Sequence, residues 1–250
     1  MNFALETRGL EKQFGGLKVT RDLSLRIAPG ARHAVIGPNG AGKTTVINLL
    51  TGVLKPNGGR ILLEGNDITD LPAHARVLRG LSRTFQINQL YADLTPLETI
   101  GLVVSERLGR GSDWWRRMGT RDDVNAEIAE NLARFHLLDV MNEPTATLPY
   151  GKQRLLEIAV AIATKPRVLL LDEPAAGVPE GERHDILAAV AALPRDVTVL
   201  LIEHDMDLVF SFADRISVLV AGALLVEGSP DEVARDARVK AVYLGEAADA

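Results

Sequence analysis

A glycine-rich segment with one lysine and two threonines carries the clearest chemical signal in the chain. It reads Gly37-Pro38-Asn39-Gly40-Ala41-Gly42-Lys43-Thr44-Thr45 and matches the pattern G-x-x-x-x-G-K-[ST] at every fixed position. The glycines let the backbone curl so that several N–H groups point at phosphate oxygens. Lys43 would reach the β- and γ-phosphates of a nucleotide, and the Thr44 hydroxyl would ligate Mg²⁺. The alternative is a glycine-rich turn with a surface lysine, but the segment lies between a predicted strand and a predicted helix, which favours phosphate binding.

Two carboxylates after an apolar strand could supply the metal ligand that this chemistry needs. Val168-Leu169-Leu170-Leu171 is followed by Asp172 and Glu173. Open α/β sheets bind their ligands at the carboxyl ends of the strands. We therefore expect Asp172 to hold Mg²⁺, directly or through water, and Glu173 to polarise an attacking water. The alternative is an acidic strand end that is simply exposed to solvent.

Two further polar residues are ambiguous on their own. His204 follows the segment Val199-Leu200-Leu201-Ile202-Glu203 and so ends another apolar strand. A lone histidine at such a position is more often structural than catalytic. Gln86 follows Arg83-Thr84-Phe85 and by itself indicates nothing.

The elements that must position these residues belong to a chain of ordinary globular composition. It has 250 residues, 46% of them apolar and 24% charged, and a net charge of −5. The apolar content excludes disorder, and the absence of cysteine excludes disulfides and thiolate sites. The pI of 5.6 argues against a nucleic-acid-binding face. No signal peptide and no apolar stretch of the roughly 18–20 residues of a membrane helix is found, so we expect a cytoplasmic protein.

The order of predicted elements indicates an α/β fold. Alternating polarity predicts a strand at 23–27, an apolar run predicts one at 34–36, and 60–64 is a further strand candidate. A helix should follow the glycine-rich segment over 43–53. Residues from about 86 to 164 look helical, with patterns at 122–139 and 153–163. The last third alternates strands at 168–171, 197–202 and 216–220 with helices at 182–193 and 208–213. This alternation predicts a mainly parallel, buried sheet with a helical insertion at about 87–164, within one domain spanning 1–250.

With these motifs placed, the whole chain resembles the ATPase subunits of ATP-binding-cassette (ABC) transporters. It is most similar to the subunits of importers for branched-chain and other hydrophobic amino acids. The segments that carry the likeness are Phe14-Gly15-Gly16-Leu17-Lys18, Arg83-Thr84-Phe85-Gln86, Asp172-Glu173-Pro174-Ala175-Ala176-Gly177, Glu203-His204-Asp205-Met206 and Tyr243-Leu244-Gly245-Glu246. The resemblance implies a P-loop NTPase core with an N-terminal antiparallel β subdomain, ATP and Mg²⁺ as cofactors, and hydrolysis of ATP to ADP and phosphate.

The resemblance also assigns roles that the residues alone leave open. Phe14 would stack on the adenine ring, where the alternative is an ordinary core aromatic. Gln86 would sense Mg²⁺ and the γ-phosphate, and His204 would be the switch histidine that contacts the γ-phosphate. The helical insertion would receive a coupling helix from a permease.

An assembly is implied as well. Such subunits pair head to tail, with ATP between the phosphate loop of one and the signature segment of the other. They serve two integral-membrane permease subunits at the inner face of the cell membrane, and indirectly a periplasmic or extracellular substrate-binding protein. No nucleic-acid partner is expected. The transported molecule is not encoded in this chain, since amides, urea or aromatic acids would fit nearly as well as leucine-like amino acids.

The signature segment departs from the usual Leu-Ser-Gly-Gly-Gln and reads Leu148-Pro149-Tyr150-Gly151-Lys152-Gln153. Gly151 and the helix after it remain, so Tyr150, Gly151 and Lys152 could still meet a partner's γ-phosphate. Pro149 replaces the serine and has neither a hydroxyl nor an N–H, which removes a hydrogen bond worth roughly 1.5–3 kcal/mol unless Tyr150 or Lys152 compensates. Pro179 also stands where the family usually has Asp or Asn. Because these departures affect only the partner's site, we predict a heterodimer with a second ATPase, with a homodimer as the alternative.

ATPases of this kind also serve complexes other than amino-acid importers. The nearest rival function is the ATPase of a lipopolysaccharide or lipid exporter. A non-transport ABC module is a rival from another class, but it usually needs long coiled coils or two cassettes in one chain. Trp114-Trp115-Arg116-Arg117 is interpreted as a local packing segment, with a permease or lipid contact as the alternative, and Arg76, Arg79 and Arg83 as a solvated basic face.

Overall fold

The computed structural model describes residues 2–84, 90–109 and 122–246 of the chain. Its strands are β1 (Leu5–Phe14), β2 (Leu17–Leu23), β3 (Arg26–Ile27), β4 (Arg32–Ile36), β5 (Gly58–Leu63), β6 (Asn66–Asp67), β7 (Leu81–Arg83), β8 (Val168–Asp172), β9 (Thr198–Ile202), β10 (Arg215–Val220) and β11 (Ala223–Gly228). Its helices are α1 (Lys43–Thr51), α2 (Ala73–Leu78), α3 (Pro96–Arg107), α4 (Asp122–Arg134), α5 (Tyr150–Ala163), α6 (Glu180–Ala191), α7 (Met206–Phe212), α8 (Pro230–Arg235) and α9 (Ala237–Glu246). Short 3₁₀ turns lie at Leu138–Val140 and Thr145–Thr147.

The N-terminal strands form an antiparallel sheet in the order β2-β1-β5-β6, with β3 also paired to β1. The strand predicted over 23–27 is split between β2 and β3. The reason is the buried Thr7 side chain, whose hydroxyl donates to the Leu23 carbonyl and accepts from the Leu25 N–H, both at 2.9 Å. The side chain thus bonds to the backbone beside the Thr7 N–H bond to the Leu25 carbonyl, also at 2.9 Å, and interrupts the regular ladder at this point.

The second sheet has the order β11-β10-β4-β9-β8-β7. The five strands from β10 to β7 run parallel, and β11 pairs antiparallel with β10. Every residue of β4, β8 and β9 is buried, as expected for strands that are covered on both faces. The predicted fold class, a P-loop NTPase core with a mainly parallel sheet, an antiparallel β subdomain and an inserted helical part, is confirmed.

Alternate residues of β4 enter two apolar clusters on opposite faces of the parallel sheet. Val35 packs in a cluster that also contains Val46 of α1 and Ile61 of the antiparallel sheet. Ala34 and Ile36 pack in the other cluster, with residues of α7, α8 and α9. The strand that leads into the glycine-rich segment is therefore fixed from both sides.

The helix predicted over 122–139 ends at Arg134 because of a Schellman motif. His136 has a φ of 52°. Its N–H donates to the Ala133 carbonyl at 3.1 Å, and the Leu137 N–H donates to the Leu132 carbonyl at 2.9 Å. These two bonds satisfy the last carbonyls of the helix and turn the chain out of it.

The interpretation of Arg76, Arg79 and Arg83 as a solvated face is wrong for two of the three. Arg76 is 1% exposed, and its guanidinium donates to the carbonyls of Leu49, Leu50, Thr69 and Leu71. The Arg83 side chain is 9% exposed. Only Arg79 is exposed to solvent. Charged residues are rarely buried unless they are paired. Both buried arginines donate to acceptors that the spacing of residues along the sequence does not reveal.

The chain divides into two compact units. One contains residues 1–83, 167–173 and 194–250, and with them both sheets. The other contains residues 84–166 and 174–193, and with them helices α3 to α6. Within the described ranges, no helix combines the length and the apolar character needed to cross a membrane.

Candidate nucleotide-binding site

Three neighbouring strands bring the predicted site residues to one edge of the parallel sheet. The strands β4, β9 and β8 are adjacent and parallel, and Ile202 is in register with both Val35 and Asp172. The glycine-rich segment follows β4, His204 follows β9, and Glu173 follows β8. The sheet order thus places these three groups after the carboxyl ends of adjacent parallel strands, where α/β sheets bind their ligands.

The glycine-rich segment is shaped by two close backbone approaches. Gly37 has a φ of 156°, and a Cβ there would lie 2.2 Å from the Leu219 carbonyl oxygen. Gly42 has a φ of 96°, and a Cβ there would lie 2.8 Å from the Val19 carbonyl oxygen. Helix α1 begins at Lys43 with Gly42 as its N-cap and no side-chain cap. The uncapped N–H groups and the helix dipole make this loop fit the phosphates of a nucleotide.

The polar side chains of the loop lie at its mouth. The Lys43 ammonium donates to the carbonyls of Gly37 and Pro38 and so lies over the loop. Asn39, Gly40 and Thr44 are exposed, and Pro38 and Thr45 are half-buried, whereas Ala41 is buried. The lysine and threonine side chains predicted to contact phosphate and metal are thus at least partly accessible. Gly37 and Ala41, which were also predicted to bind ATP, are buried, and Ala41 packs in the apolar core.

Asp172 is held by a buried ion pair that the sequence did not predict. The Arg83 guanidinium, at the end of β7, donates to Asp172 Oδ2 at 2.8 Å and to Asn48 Oδ1 at 2.7 Å. The Asp172 side chain is 2% exposed. Asn48 lies on α1 one helical turn after Thr44, so Arg83 ties the predicted metal carboxylate to the helix that carries the predicted metal hydroxyl. The only sequence signal was that Arg83 shortly precedes Gln86.

Glu173 adopts a backbone conformation that is unusual for a residue with a side chain. Its φ is 45°, and its N–H donates to the Ile202 carbonyl at 2.9 Å. Left-handed conformations of non-glycine residues concentrate at functional sites, where the surrounding structure holds them in place. His204 Nδ1 lies 3.7 Å from Glu173 Oε1, and the His204 side chain is 61% exposed. The candidate base and the candidate switch histidine are therefore neighbours.

The turn that carries His204 is organised by a buried carboxylate. Glu203 Oε2 accepts from the N–H of His204 at 2.9 Å and from the N–H of Asp205 at 3.3 Å. The Glu203 side chain is 2% exposed, and burial raises the pKa of its carboxyl group, with the two backbone N–H groups opposing that rise. Asp205 in turn caps α7 by accepting from the Leu208 N–H. In the sequence, Glu203 stood out only as part of the segment Glu203-His204-Asp205-Met206, and no role was predicted for it.

Phe14, the residue predicted to stack on adenine, has an exposed side chain. Phe14 ends β1 and is 48% exposed, with the Lys12 ammonium 5.2 Å from the centre of its ring. This exposure argues against the core-aromatic alternative and leaves a ring face for stacking, so adenine contact stays a prediction. Gln86 lies outside the described residues, as does the Trp114–Arg117 segment.

In the second unit, the signature segment starts α5 with Pro149 as N-cap and no side-chain cap. The Gly151 N–H donates to Glu182 Oε2 at 2.8 Å. The Lys152 ammonium binds Asp139 at 3.0 Å and the His136 carbonyl, and the Tyr150 hydroxyl donates to the Ala176 carbonyl at 3.4 Å. These contacts argue against Tyr150 or Lys152 taking the place of the missing serine hydroxyl.

Mg²⁺ would be held here by few protein groups. Across the residues that the structure describes, no cluster of three or more His, Asp and Glu side chains could hold a metal ion. Mg²⁺ in nucleotide sites is bound by one or two protein groups together with phosphate oxygens and water. Thr44 on α1 and Asp172 at the end of β8 fit that donor set.

A glycine loop between a parallel strand and a helix, with a carboxylate at the end of a nearby strand, defines a P-loop nucleotide-binding protein. Comparison with known proteins narrows the class. The ABC transporter family matches residues 20–176, and a branched-chain amino acid ATP-binding cassette transporter family matches residues 223–249. The chain belongs to the ABC transporter family of ATP-binding proteins.

Named relatives match almost the whole chain. The high-affinity branched-chain amino acid transport ATP-binding protein BraF of Pseudomonas aeruginosa is 40% identical, over 97% of this chain and 98% of its own length. The corresponding protein LivG of Escherichia coli K12 is 38% identical over the same shares. Among solved structures, a nucleotide-free ATP-binding cassette from an ABC transporter has a TM-score of 0.81 and 30% identity, covering 97% of this chain and 99% of that one. The ADP conformation of MJ1267, an ATP-binding cassette, has a TM-score of 0.81 and 31% identity, covering 98% and 99%.

Proposed function

We propose that this chain is the ATP-hydrolysing, energy-coupling subunit of an importer for branched-chain or other hydrophobic amino acids. The observation that carries the proposal is the meeting of the phosphate loop, the Asp172-Glu173 pair and His204 at one edge of the sheet. The names of the relatives and the match at residues 223–249 support the amino-acid importer. The alternative of a lipid exporter is not favoured, because no relative reported above is named for export.

Nucleotide binding would use the loop and its helix. The backbone N–H groups of residues 37–45 and the Lys43 ammonium would bind the phosphates, and Phe14 would stack on the base. Thr44, Asp172 and Gln86 would hold Mg²⁺, which when bound neutralises phosphate charge. Arg83 keeps Asp172 oriented toward this task by fixing one of its oxygens.

Hydrolysis would use the groups that follow β8 and β9. Glu173 would accept a hydrogen bond from the attacking water and orient it toward the γ-phosphate. His204 would contact the γ-phosphate, and its position beside Glu173 lets one turn hold both groups. The buried Glu203 keeps that turn rigid by accepting its N–H groups.

ATP binding and hydrolysis by this chain would drive transport by a membrane complex. We expect two integral-membrane permease subunits, a second ABC ATPase and, indirectly, a substrate-binding protein outside the membrane. The chain would act from the inner face of the cell membrane. Family membership supports such partners, and their number and identity are part of the proposal.

Pro149 leads us to propose that the second ATPase differs from this one. Pro149→Ser should raise ATP turnover of the assembled complex, because serine restores a side-chain cap to α5 and a hydroxyl that can donate to a phosphate. The measurement is steady-state phosphate release by the purified complex. Ala146→Ser, an exposed change just upstream, is the control. Unchanged or lower turnover in the Pro149→Ser complex would contradict the hypothesis of a weak site.

The experiment that tests the proposed function is a pull-down of the tagged chain from its own membranes in mild detergent. Two permeases and a second ATPase among the co-purified proteins would support the importer and the heterodimer. A co-purified binding protein could then be screened against leucine-like amino acids, amides, urea and aromatic acids. Export proteins, or no membrane partner at all, would overturn the assignment.

A further inference from the structure

The N-terminus of α5 is occupied by an acidic side chain of the same chain. Pro149 supplies no side-chain cap, and the Gly151 N–H donates to Glu182 Oε2 at 2.8 Å. Glu182 lies in the first turn of α6, within the same unit as α5. A carboxylate from a neighbouring helix has thus taken the capping place that a serine would fill.

The contact is close and depends on the residue types present. A Cβ at Gly151 would lie 2.2 Å from Glu182 Oε2, so a larger residue there would displace the carboxylate. Glu182 also lies at the N-terminal end of its own helix, so two helix dipoles favour its negative charge. The Lys152 ammonium, one residue after Gly151, is bound to Asp139 instead. The charge that faces Gly151 is therefore that of Glu182.

A phosphate bound at the signature segment would need the Gly151 N–H, which is the donor that Glu182 already uses. The Gly151 N–H is a single donor that already points at a carboxylate oxygen. An incoming phosphate would have to displace or share that oxygen and would meet its negative charge at short range. We propose that Glu182 is a built-in competitor of the γ-phosphate, which weakens ATP binding at the composite site formed by this chain's signature segment. The inference rests on the proposed function, because it requires a nucleotide held by a second ATPase.

Glu182→Gln separates charge from shape. The amide keeps the size of the side chain and an oxygen that can accept from Gly151, but it carries no charge. Glu180→Gln is the matched control, since it removes the same charge from the same turn of α6 at an exposed position. Glu182→Ala is the second variant, because it frees the N–H altogether.

The test measures ATP turnover of the purified complex against ATP concentration, together with thermal unfolding of each variant chain without nucleotide. We expect Glu182→Gln and Glu182→Ala to lower the half-saturating ATP concentration by about three- to tenfold, with Glu180→Gln unchanged. The unfolding temperature of Glu182→Gln should fall only slightly, because the amide can still accept from the Gly151 N–H and loses only the interaction of the charge with the two helix dipoles. A purely structural contact would instead lower the unfolding temperature of Glu182→Ala and leave the half-saturating concentration unchanged.

The possible failures are distinguishable. A wild-type complex that hydrolyses ATP while both Glu182 variants keep or raise the half-saturating concentration overturns this inference alone. A wild-type chain that brings down no membrane partner, or a complex without ATP turnover, overturns the proposed function and this inference with it.

Discussion

At the scale of single residues, the carboxylates at the ends of β8 and β9 are each held in place by hydrogen-bond donors. Asp172 pairs with Arg83, 89 residues earlier, and Glu203 accepts two backbone N–H groups. These partners hold each carboxylate in one orientation, as a metal ligand or a rigid turn requires. The sequence could indicate Asp172, because its place after an apolar strand is a local pattern. It could not indicate Arg83, because its partner Asp172 lies 89 residues away. It could not indicate Glu203 either, because the burial of that side chain appears only in the folded chain, although the two N–H groups it accepts belong to the next two residues.

His33 provides a test of buried charge away from the site. Its ring is 1% exposed and lies 2.8 Å from Ser217 Oγ, and burial lowers the pKa of His33 to about 4 against the raising effect of Glu227. The unfolded chain has the ordinary histidine pKa near 6.5, so the unfolded state binds the proton first as the pH falls. Stability is therefore complete above about pH 6.5 and falls toward pH 4, with His33 contributing a loss of about 2 kcal/mol between pH 7.5 and pH 5.

The measurement is urea unfolding of wild type and His33→Gln at these two pH values. The variant should lose about 2 kcal/mol less of its unfolding free energy on acidification than the wild type does. His184→Gln, a change at an exposed histidine, should behave like the wild type. An equal acid loss in wild type and His33→Gln would contradict the account.

At the scale of elements, helix and strand ends are set by specific side chains. The helix after the phosphate loop was predicted over 43–53 and ends at Thr51, because Gly52 takes a φ of 79°. Gly52 also leaves room for Arg76, since a Cβ there would lie 2.8 Å from Arg76 Nε. Periodicity predicts that a helix or strand exists, but its ends depend on such contacts. The same holds for the Thr7 hydroxyl that divides β2 from β3.

Arg76→Met tests the cap of this helix. Arg76 donates to the carbonyls of Leu49 and Leu50 at the end of α1 and to two loop carbonyls. Methionine keeps the apolar length but leaves these buried acceptors without donors, so we expect a loss of roughly 3 kcal/mol in unfolding free energy. Urea unfolding at neutral pH measures it. Arg79→Met, at an exposed position, should change stability by less than about 0.5 kcal/mol, and a similarly small effect for Arg76→Met would refute the capping role.

At the scale of the whole molecule, the fold collects its site residues by strand order rather than by closeness in sequence. The loop after β4, Glu173 after β8 and His204 after β9 come from three separate parts of the chain. The sequence predicted this edge because apolar strands that end in polar groups are a local signal with a general geometric consequence. It could not predict that Glu182 caps the helix starting at Tyr150, because that contact depends on how α5 and α6 pack.

The central claim, that Glu173 activates water for ATP hydrolysis, is tested most directly with Glu173→Gln. Glutamine keeps the size of the side chain and removes its ability to take a proton, so ATP affinity should stay near that of the wild type while phosphate release falls by at least about a hundredfold. The measurement pairs equilibrium ATP binding with steady-state phosphate release on the purified complex, with the exposed Glu180→Gln as control. Hydrolysis close to the wild-type rate in Glu173→Gln would contradict the account.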